Sequence, residues 1–470
     1  MQFDSLTFLI FFAVTLTLYY SIRSWTLKKN LLLLASYIFY AAWNPLFLPL
    51  LMGTSLFDWS MAKQMARVSS PRGRKIWLWG ILATNLIILG YFKYAYFIAS
   101  SLSPLLEWAG AEVPASNFDI ILPIGISFYT FHSLSYCIDI YRGKYQPVKS
   151  LRDYLLYVSF FPQLVAGPIV RWNEMRDQLA TPPHTSTNTL GVGLCLLVAG
   201  LFEKTVLADA VFAPVADSFF DNPNGSALTA WTAALAFSGQ IFCDFAGYTT
   251  CALGAALMLG FRLPINFLNP YAAIGFSDFW RRWHISLSRW LRDYLYISLG
   301  GNQRGTLYTY RNLLLTMFIG GLWHGAAWTF AIWGLIHGLL LIAERRISAI
   351  AFMKPLKSLV ALRLIYGLFT FCVITVTWVW FRAPSLSSAV GILAQMFQPA
   401  NTAWVLNGAQ QLALLSVVML IVGQWTIRNT TIPEVIARTP AMITGLVVGL
   451  LVSLIVASPG DSHAFIYFQF

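Results

Sequence analysis

The chain has 470 residues, of which 57% are hydrophobic and 11% charged. A soluble domain carries about 25% charged residues, so this deficit, with a mean hydropathy of +0.64, excludes a soluble globular fold. The formal net charge of +12 is no signal for nucleic acid, because its Lys and Arg residues cluster in short loops between apolar runs, where positive charge sets membrane orientation.

Taken in chain order, apolar runs cover about 6–22, 31–57, 76–100, 120–138, 154–170, 189–207, 227–245, 247–262, 312–342, 362–381, 410–425 and 440–458. Some are long enough for two passes, which predicts an all-α polytopic membrane protein with roughly 11–14 embedded helices. The first run begins at Leu6 after the acidic Asp4, with no basic n-region, and so reads as a retained span rather than a cleaved leader. Prolines punctuate the runs at Asn44-Pro45, Leu122-Pro123, Phe161-Pro162, Gly167-Pro168 and Asn269-Pro270. A proline in a span frees a backbone carbonyl, which is tolerated where protein or a watery cavity satisfies it. Broken and re-entrant helices around an internal chamber are therefore expected.

Charge in the loops gives a topology. Arg23, Lys28 and Lys29 follow the first run, which places the N-terminus outside; Lys63, Arg67, Arg72, Arg74 and Lys75 mark another inner loop, as do Arg345, Arg346, Lys354 and Lys357. Arg428 and Arg438 flank a further cytoplasmic loop, after which a span over about Met442–Ala457 carries the tail, 458–470, to the outer side. The domain reading is one membrane domain over 1–457 and an extracytoplasmic aromatic tail over 458–470. Five cysteines, Cys137, Cys195, Cys243, Cys251 and Cys372, show no metal-ligand or disulfide spacing and read as packing residues.

Polar groups inside a membrane are costly and are functional candidates by default. His284 lies in RRWHISLSRWLRDYL, residues 281–295. At about 100° per residue, Arg281, Arg282, Arg289 and Arg292 share one sector, Trp283, Leu287, Trp290, Leu291 and Tyr294 take the opposite side, and His284 sits at that side's edge. This predicts a helix in the inner interface with arginines toward the cytoplasm; the arginine face is either a positive-inside anchor or a seat for an anionic cofactor such as coenzyme A phosphates. His324 lies in GLWHGAAW, and Gly320, Gly321 and Gly325 let another backbone or a ligand approach closely. An imidazole acts as a general base near neutral pH. His337, between Gly334 and Gly338, reads as a helix-packing residue. Against the alternative of a histidine that only hydrogen-bonds across a helix interface, position leaves His284 even between the two readings and chemistry leans His324 to function.

Several segments carry a family resemblance: LLLLASYIFYAAWNP (31–45), LPIGISFYTFHSLSYCIDIYRG (122–143), FFPQLVAGPIVRW (160–172), FCDFAGYTTCALGAALMLGFRLPINFLNPY (242–271), FWRRWHISLSRWLRDYLYISLGGN (279–302) and GLWHGAAWTFAIWGLIHG (321–338). In these the chain resembles the membrane-bound O-acyltransferase family, in particular the membrane subunits that serve bacterial polysaccharide O-acetylation, of which the alginate type is best known. The resemblance implies a ring of tilted and re-entrant helices around a central chamber. It makes His324 the catalytic histidine and His284, 40 positions earlier, its partner in the same tunnel. Arg281 and Arg282, with Trp283, become the donor-binding set, the donor being acetyl-CoA or an acylated carrier protein, with no bound cofactor and no metal. The chain ends FIYFQF, and related acyl-transfer systems present a carrier tyrosine in a similar terminal motif; here that residue is Tyr467. A periplasmic Ser-His-Asp esterase-fold acetyltransferase would then pass the acetyl group to polysaccharide, from a bacterial inner membrane. Two positions depart from the family: DFAGYT (244–249), where a serine is expected before the glycine, and His132, where a glutamine is expected. A D-alanyl transferase, and a transporter in which buried histidines and Asp244 relay protons, are the competing readings.

Overall fold

The structure, a computed structural model, describes residues 1–110, 120–348, 359–398, 405–458 and 465–466. Every element among them is helical, as an all-α polytopic membrane protein requires, since each helix satisfies its own backbone in lipid. Two compact units divide the chain, Met1–His184 and Thr185–Phe470.

In the first unit, helices Leu6–Ser21, Trp25–Ala41, Leu48–Arg67 and Pro71–Leu89 are each started by a short polar or prolyl signal. Ser5 and Ser70 accept from the N–H groups of Phe8 and Gly73, and Asn44 accepts from Leu46 N–H beside Pro45, ordinary N-terminal capping. The polar groups that penetrate this unit are paired: Asn85 donates to Asp58 at 2.7 Å, and Lys29 meets Asp153 at 2.9 Å. His132, fully buried, accepts from Val170 N–H through Nε2 at 3.2 Å, and its own carbonyl receives the Tyr157 hydroxyl. Its role in the structure is to tie the Ile126–Tyr141 helix to the 160–170 segment.

The second unit is built around the helix Ala227–Met258, whose N-terminus is closed by a capping box between Ser226 and Thr229. In its most apolar window 83% of residues are buried, against 17–33% in the other four helices long and apolar enough to span a membrane: Pro71–Trp108 of the first unit, and Thr187–Asp221, Val360–Arg382 and Gly408–Thr426 of the second. The central helix therefore faces protein, and within its unit Thr187–Asp221, Val360–Arg382 and Gly408–Thr426 are more exposed. Glycines set the closest approach. A Cβ on Gly200 would lie 2.5 Å from Gly247 O, and one on Gly254 2.6 Å from Gly193 O, so the Thr187–Phe202 helix crosses the central one backbone to backbone.

Two expectations need correction. The runs 227–245 and 247–262 belong to one helix, Ala227–Met258; Gly247, which opens the second run, is the packing glycine of that crossing. The segment 281–295 is not one interfacial helix. It comprises Phe276–Arg282, a break at Trp283-His284, a second helix Ile285–Trp290 and a π-helical turn Leu291–Tyr296. The arginine periodicity is real, but a buried asparagine breaks the helix in its middle.

Candidate active site

The break is caused by Asn266, which is 1% exposed in the irregular segment after the central helix. Its Oδ1 accepts from Ser286 N–H at 3.1 Å and Ser286 Oγ at 2.9 Å, and lies 3.1 Å from His284 Nδ1. Its backbone carbonyl also accepts from Ile285 N–H at 2.9 Å. Gathering these donors on one residue bends the chain, and His284 takes a left-handed conformation with φ 42°, uncommon for a residue with a Cβ.

The same contacts set the histidine's chemistry. Ser286 N–H can only donate, so the atom it meets is the amide oxygen of Asn266, and His284 Nδ1 must carry the proton shared with it. The neutral ring then offers Nε2 as an acceptor, and this atom is buried without a hydrogen-bond partner. A buried polar atom left unsatisfied is destabilising, so this acceptor is open to a partner from outside the chain.

His324 is the last residue of the helix Thr306–His324 and is 3% exposed. Its ring lies 6.2 Å from that of His284, 5.2 Å from Trp333 and 5.4 Å from Phe381. A tight turn at Gly325 leads into Trp328–Ser348; a Cβ there would lie 2.1 Å from the Phe330 ring, and one on Gly321 2.2 Å from Phe330 O. The glycines flanking His324 thus serve the packing of this helical hairpin. His324 lines a cavity of about 280 Å³ together with Trp280, Ser288, Arg292, Tyr296 and Arg345.

Other residues singled out in the sequence lie elsewhere. Arg282 is buried and committed to the protein, bonding Asp278, the carbonyls of Leu268 and Arg428, and Asn429 Oδ1. Trp283 is fully buried, stacked on Phe279 and 5.0 Å from Trp378. Arg281 is exposed. His337 uses both ring nitrogens, accepting from Trp280 Nε1 at Nδ1 and meeting Thr377 Oγ1 at Nε2, a bridge between helices. Tyr467 lies outside the described residues. The two residues before it are buried, Phe465 at 1% and Ile466 at 4% exposure. Phe465 packs 5.8 Å from Phe245, which meets His284 edge to face at 4.7 Å.

Arg292 belongs to the arginine face that the sequence offered as a seat for an anionic donor, whereas Asn266 and Arg345 were not singled out as site residues. A polar residue in the otherwise apolar stretch LPINFL was the available signal for Asn266. Arg345 reads in the sequence only as a topology marker.

A helical membrane scaffold that buries two neighbouring histidines, one of them lining a cavity, fits a membrane-embedded transferase. The family model described as MBOAT, membrane-bound O-acyltransferase family, matches residues 148–383. The chain is 42% identical over 437 residues to the probable alginate O-acetylase AlgI of Azotobacter vinelandii, covering 91% of this chain and 85% of that one. It is 40% identical over 402 residues to the peptidoglycan O-acetyltransferase of Helicobacter pylori, 78% and 73% of the two chains. Similarity to the teichoic acid D-alanyltransferase of Bacillus subtilis is more distant, 28% over 252 residues. This chain belongs to the membrane-bound O-acyltransferase family. It is an acyltransferase, and the transporter reading falls.

Proposed function

We propose that the protein moves an acetyl group from a cytoplasmic thioester, acetyl-CoA or an acylated carrier protein, to the outer side of a bacterial inner membrane for O-acetylation of a polysaccharide. Proteins named as an alginate O-acetylase and a peptidoglycan O-acetyltransferase are its relatives over most of its length, which favours an exopolysaccharide or cell-wall glycan as final acceptor. Both termini are then extracytoplasmic, and a Ser-His-Asp esterase-fold partner takes the acetyl group onward.

The observation that carries this reading is the convergence of three features: the His284–His324 pair, a cavity joining His324 to Arg292 and Arg345, and a C-terminal tail whose Phe465 reaches the aromatic ring touching His284. In the proposed step, His324 takes the phenolic proton of Tyr467 as its oxygen attacks the thioester carbonyl. The C–O bond forms, the C–S bond breaks, and the proton passes to the departing thiolate. His284, held by Asn266, orients the thioester. Arg345, on the cytoplasmic side by loop charge, and Arg292, which shares its cavity, attract donor phosphates, with Arg281 at the entrance. Arg282 and Trp283 support the site from behind. Phenols ionise near pH 10, so a tyrosyl ester transfers its acyl group more readily than an alkyl ester.

The test is peptide mass spectrometry of wild type and His324→Ala after incubation with isotopically labelled acetyl-CoA and, separately, labelled acetyl-carrier protein. Label on Tyr467 in the wild type and none in the variant is expected. Wild type left unlabelled by both donors rejects the carrier role, and a labelled variant rejects His324 as the base.

A further inference from the structure

Beside the histidine pair, the second unit buries an ion cluster that the acyl-transfer step does not use. Lys204 Nζ lies 2.8 Å from Asp209 Oδ1 and 2.8 Å from Asp244 Oδ1, with all three side chains at most 7% exposed. Burying charge costs several kcal/mol per ion even when paired, on the order of what the pairing returns, so such a cluster adds little to stability and calls for another role. The fold builds it deliberately. Lys204 and Asp209 sit on the π-helical stretch Glu203–Phe212, and the close crossing at Gly200 and Gly247 brings Lys204 N to 2.9 Å from where a Gly247 Cβ would stand.

Lys204 holds one oxygen of Asp244. The other, Oδ2, accepts the backbone N–H of Ile466 at 2.7 Å. The two described tail residues also pack on apolar surface. Phe465 lies 4.9 Å from Tyr248 and 5.8 Å from Phe245, and Ile466 enters the aromatic core around Trp283 and Trp378.

Apolar grip alone cannot fix this segment's register. The terminal residues Phe465, Ile466, Tyr467, Phe468, Gln469 and Phe470 are mostly large and apolar, so a shift of one residue along the chain exchanges one such group for another. Sliding by one residue would present Ile466 or Phe468, neither of which has a hydroxyl. A charge-assisted hydrogen bond to one amide is directional and short-ranged. We propose that Asp244, oriented by Lys204 and Asp209, is a positioning residue that docks the C-terminal tail in the single register presenting Tyr467 to the histidine pair. This rests on the carrier reading of Tyr467. Because the recognised group is a main-chain N–H, other apolar residues that fit the core at 466 are accepted, whereas proline, which lacks the donor, is not.

The full-length protein in lipid nanodiscs tests this with two readouts. Hydrogen exchange of the Ile466 amide should be slow in the wild type and at least tenfold faster in Asp244→Asn. Labelling of Tyr467 by isotopic acetyl-CoA should be unchanged in Ile466→Val and reduced at least tenfold in Ile466→Pro and in Asp244→Asn. An added peptide of the sequence 463–470 should be acetylated by Ile466→Pro, whose dock is intact, and at least tenfold more slowly by Asp244→Asn. Ile466→Pro alters only the tail, so it decides the matter if Asp244→Asn fails to fold. The proposal is overturned if Ile466→Pro labels Tyr467 as fast as Ile466→Val, or if Asp244→Asn acetylates the peptide equally well. A wild type with a protected Ile466 amide but no label on Tyr467 rejects the carrier role and leaves the dock standing; exchange at free-chain rates removes the dock itself.

Discussion

Asn266 holds His284 through a 3.1 Å contact between Oδ1 and Nδ1, and the same oxygen receives both donors of Ser286. Removing it in Asn266→Ala strands a buried N–H, a cost of about 1–3 kcal/mol, and frees the imidazole to turn. Transfer is expected to fall on the order of 100-fold, as misplacement of an orienting group does. Asn266→Asp keeps an acceptor oxygen and should lose less stability. Thermal unfolding of the purified protein, paired with labelled-acetyl turnover, separates the two effects.

His324 and His337 provide an internal contrast. Both are buried among tryptophans, but His324 lines the cavity while His337 bridges Trp280 and Thr377. Replacing His324 by glutamine should lower turnover by about 100-fold to 10,000-fold with little change in unfolding temperature. His337→Leu should do the reverse, losing about 1–3 kcal/mol while each folded molecule retains turnover within a few-fold. Equal loss of turnover in both would overturn the assignment.

Arg345 and Arg292 share the cavity with His324, whereas Arg282 is saturated by protein partners. Charge removal in Arg345→Gln should raise KM for the thioester donor by about tenfold and leave kcat near wild type. In contrast, Arg282→Gln should lower the yield of folded protein. Initial-rate kinetics over a range of donor concentrations check the first, and size-exclusion profiles the second.

Gly247 sits where a side chain would meet Gly200 O at 2.7 Å and Lys204 N at 2.9 Å. Gly247→Val must push two backbones apart, which costs about 1–3 kcal/mol or more and pulls Lys204 from Asp244. Lower thermal stability, together with faster hydrogen exchange at Ile466, is expected, linking a helix crossing to the tail it supports.

Much of this was readable from the residues. The polytopic helical class followed from the length and frequency of the apolar runs, and the paired Trp-His motifs pointed to His284 and His324, which the structure brings to within 6.2 Å. Periodicity failed at residues 281–295, because a 3.6-residue pattern records which side chains share a face and says nothing of a tertiary hydrogen bond from Asn266 that breaks the helix. It failed for Arg282 for a related reason. An arginine's role depends on whether carbonyls and carboxylates surround it, and those of Leu268, Asp278 and Arg428 come from three separate segments. The Lys204–Asp244 pairing was equally hidden, its members being 40 residues apart and joined only by a glycine crossing.

The left-handed backbone at His284 narrows the substitutions open to that position in evolution. Among residues with side chains, asparagine, aspartate and histidine enter this conformation most readily, so the variants that preserve the fold are few. Asparagine is the replacement that would leave an intact but chemically silent protein. A saturation library scored for both expression and turnover should show it as the best-folded inactive allele, while β-branched residues disappear from both scores. Shape and reactivity at residue 284 are thus under joint selection, and a lineage that abandoned the activity would be expected to keep the turn.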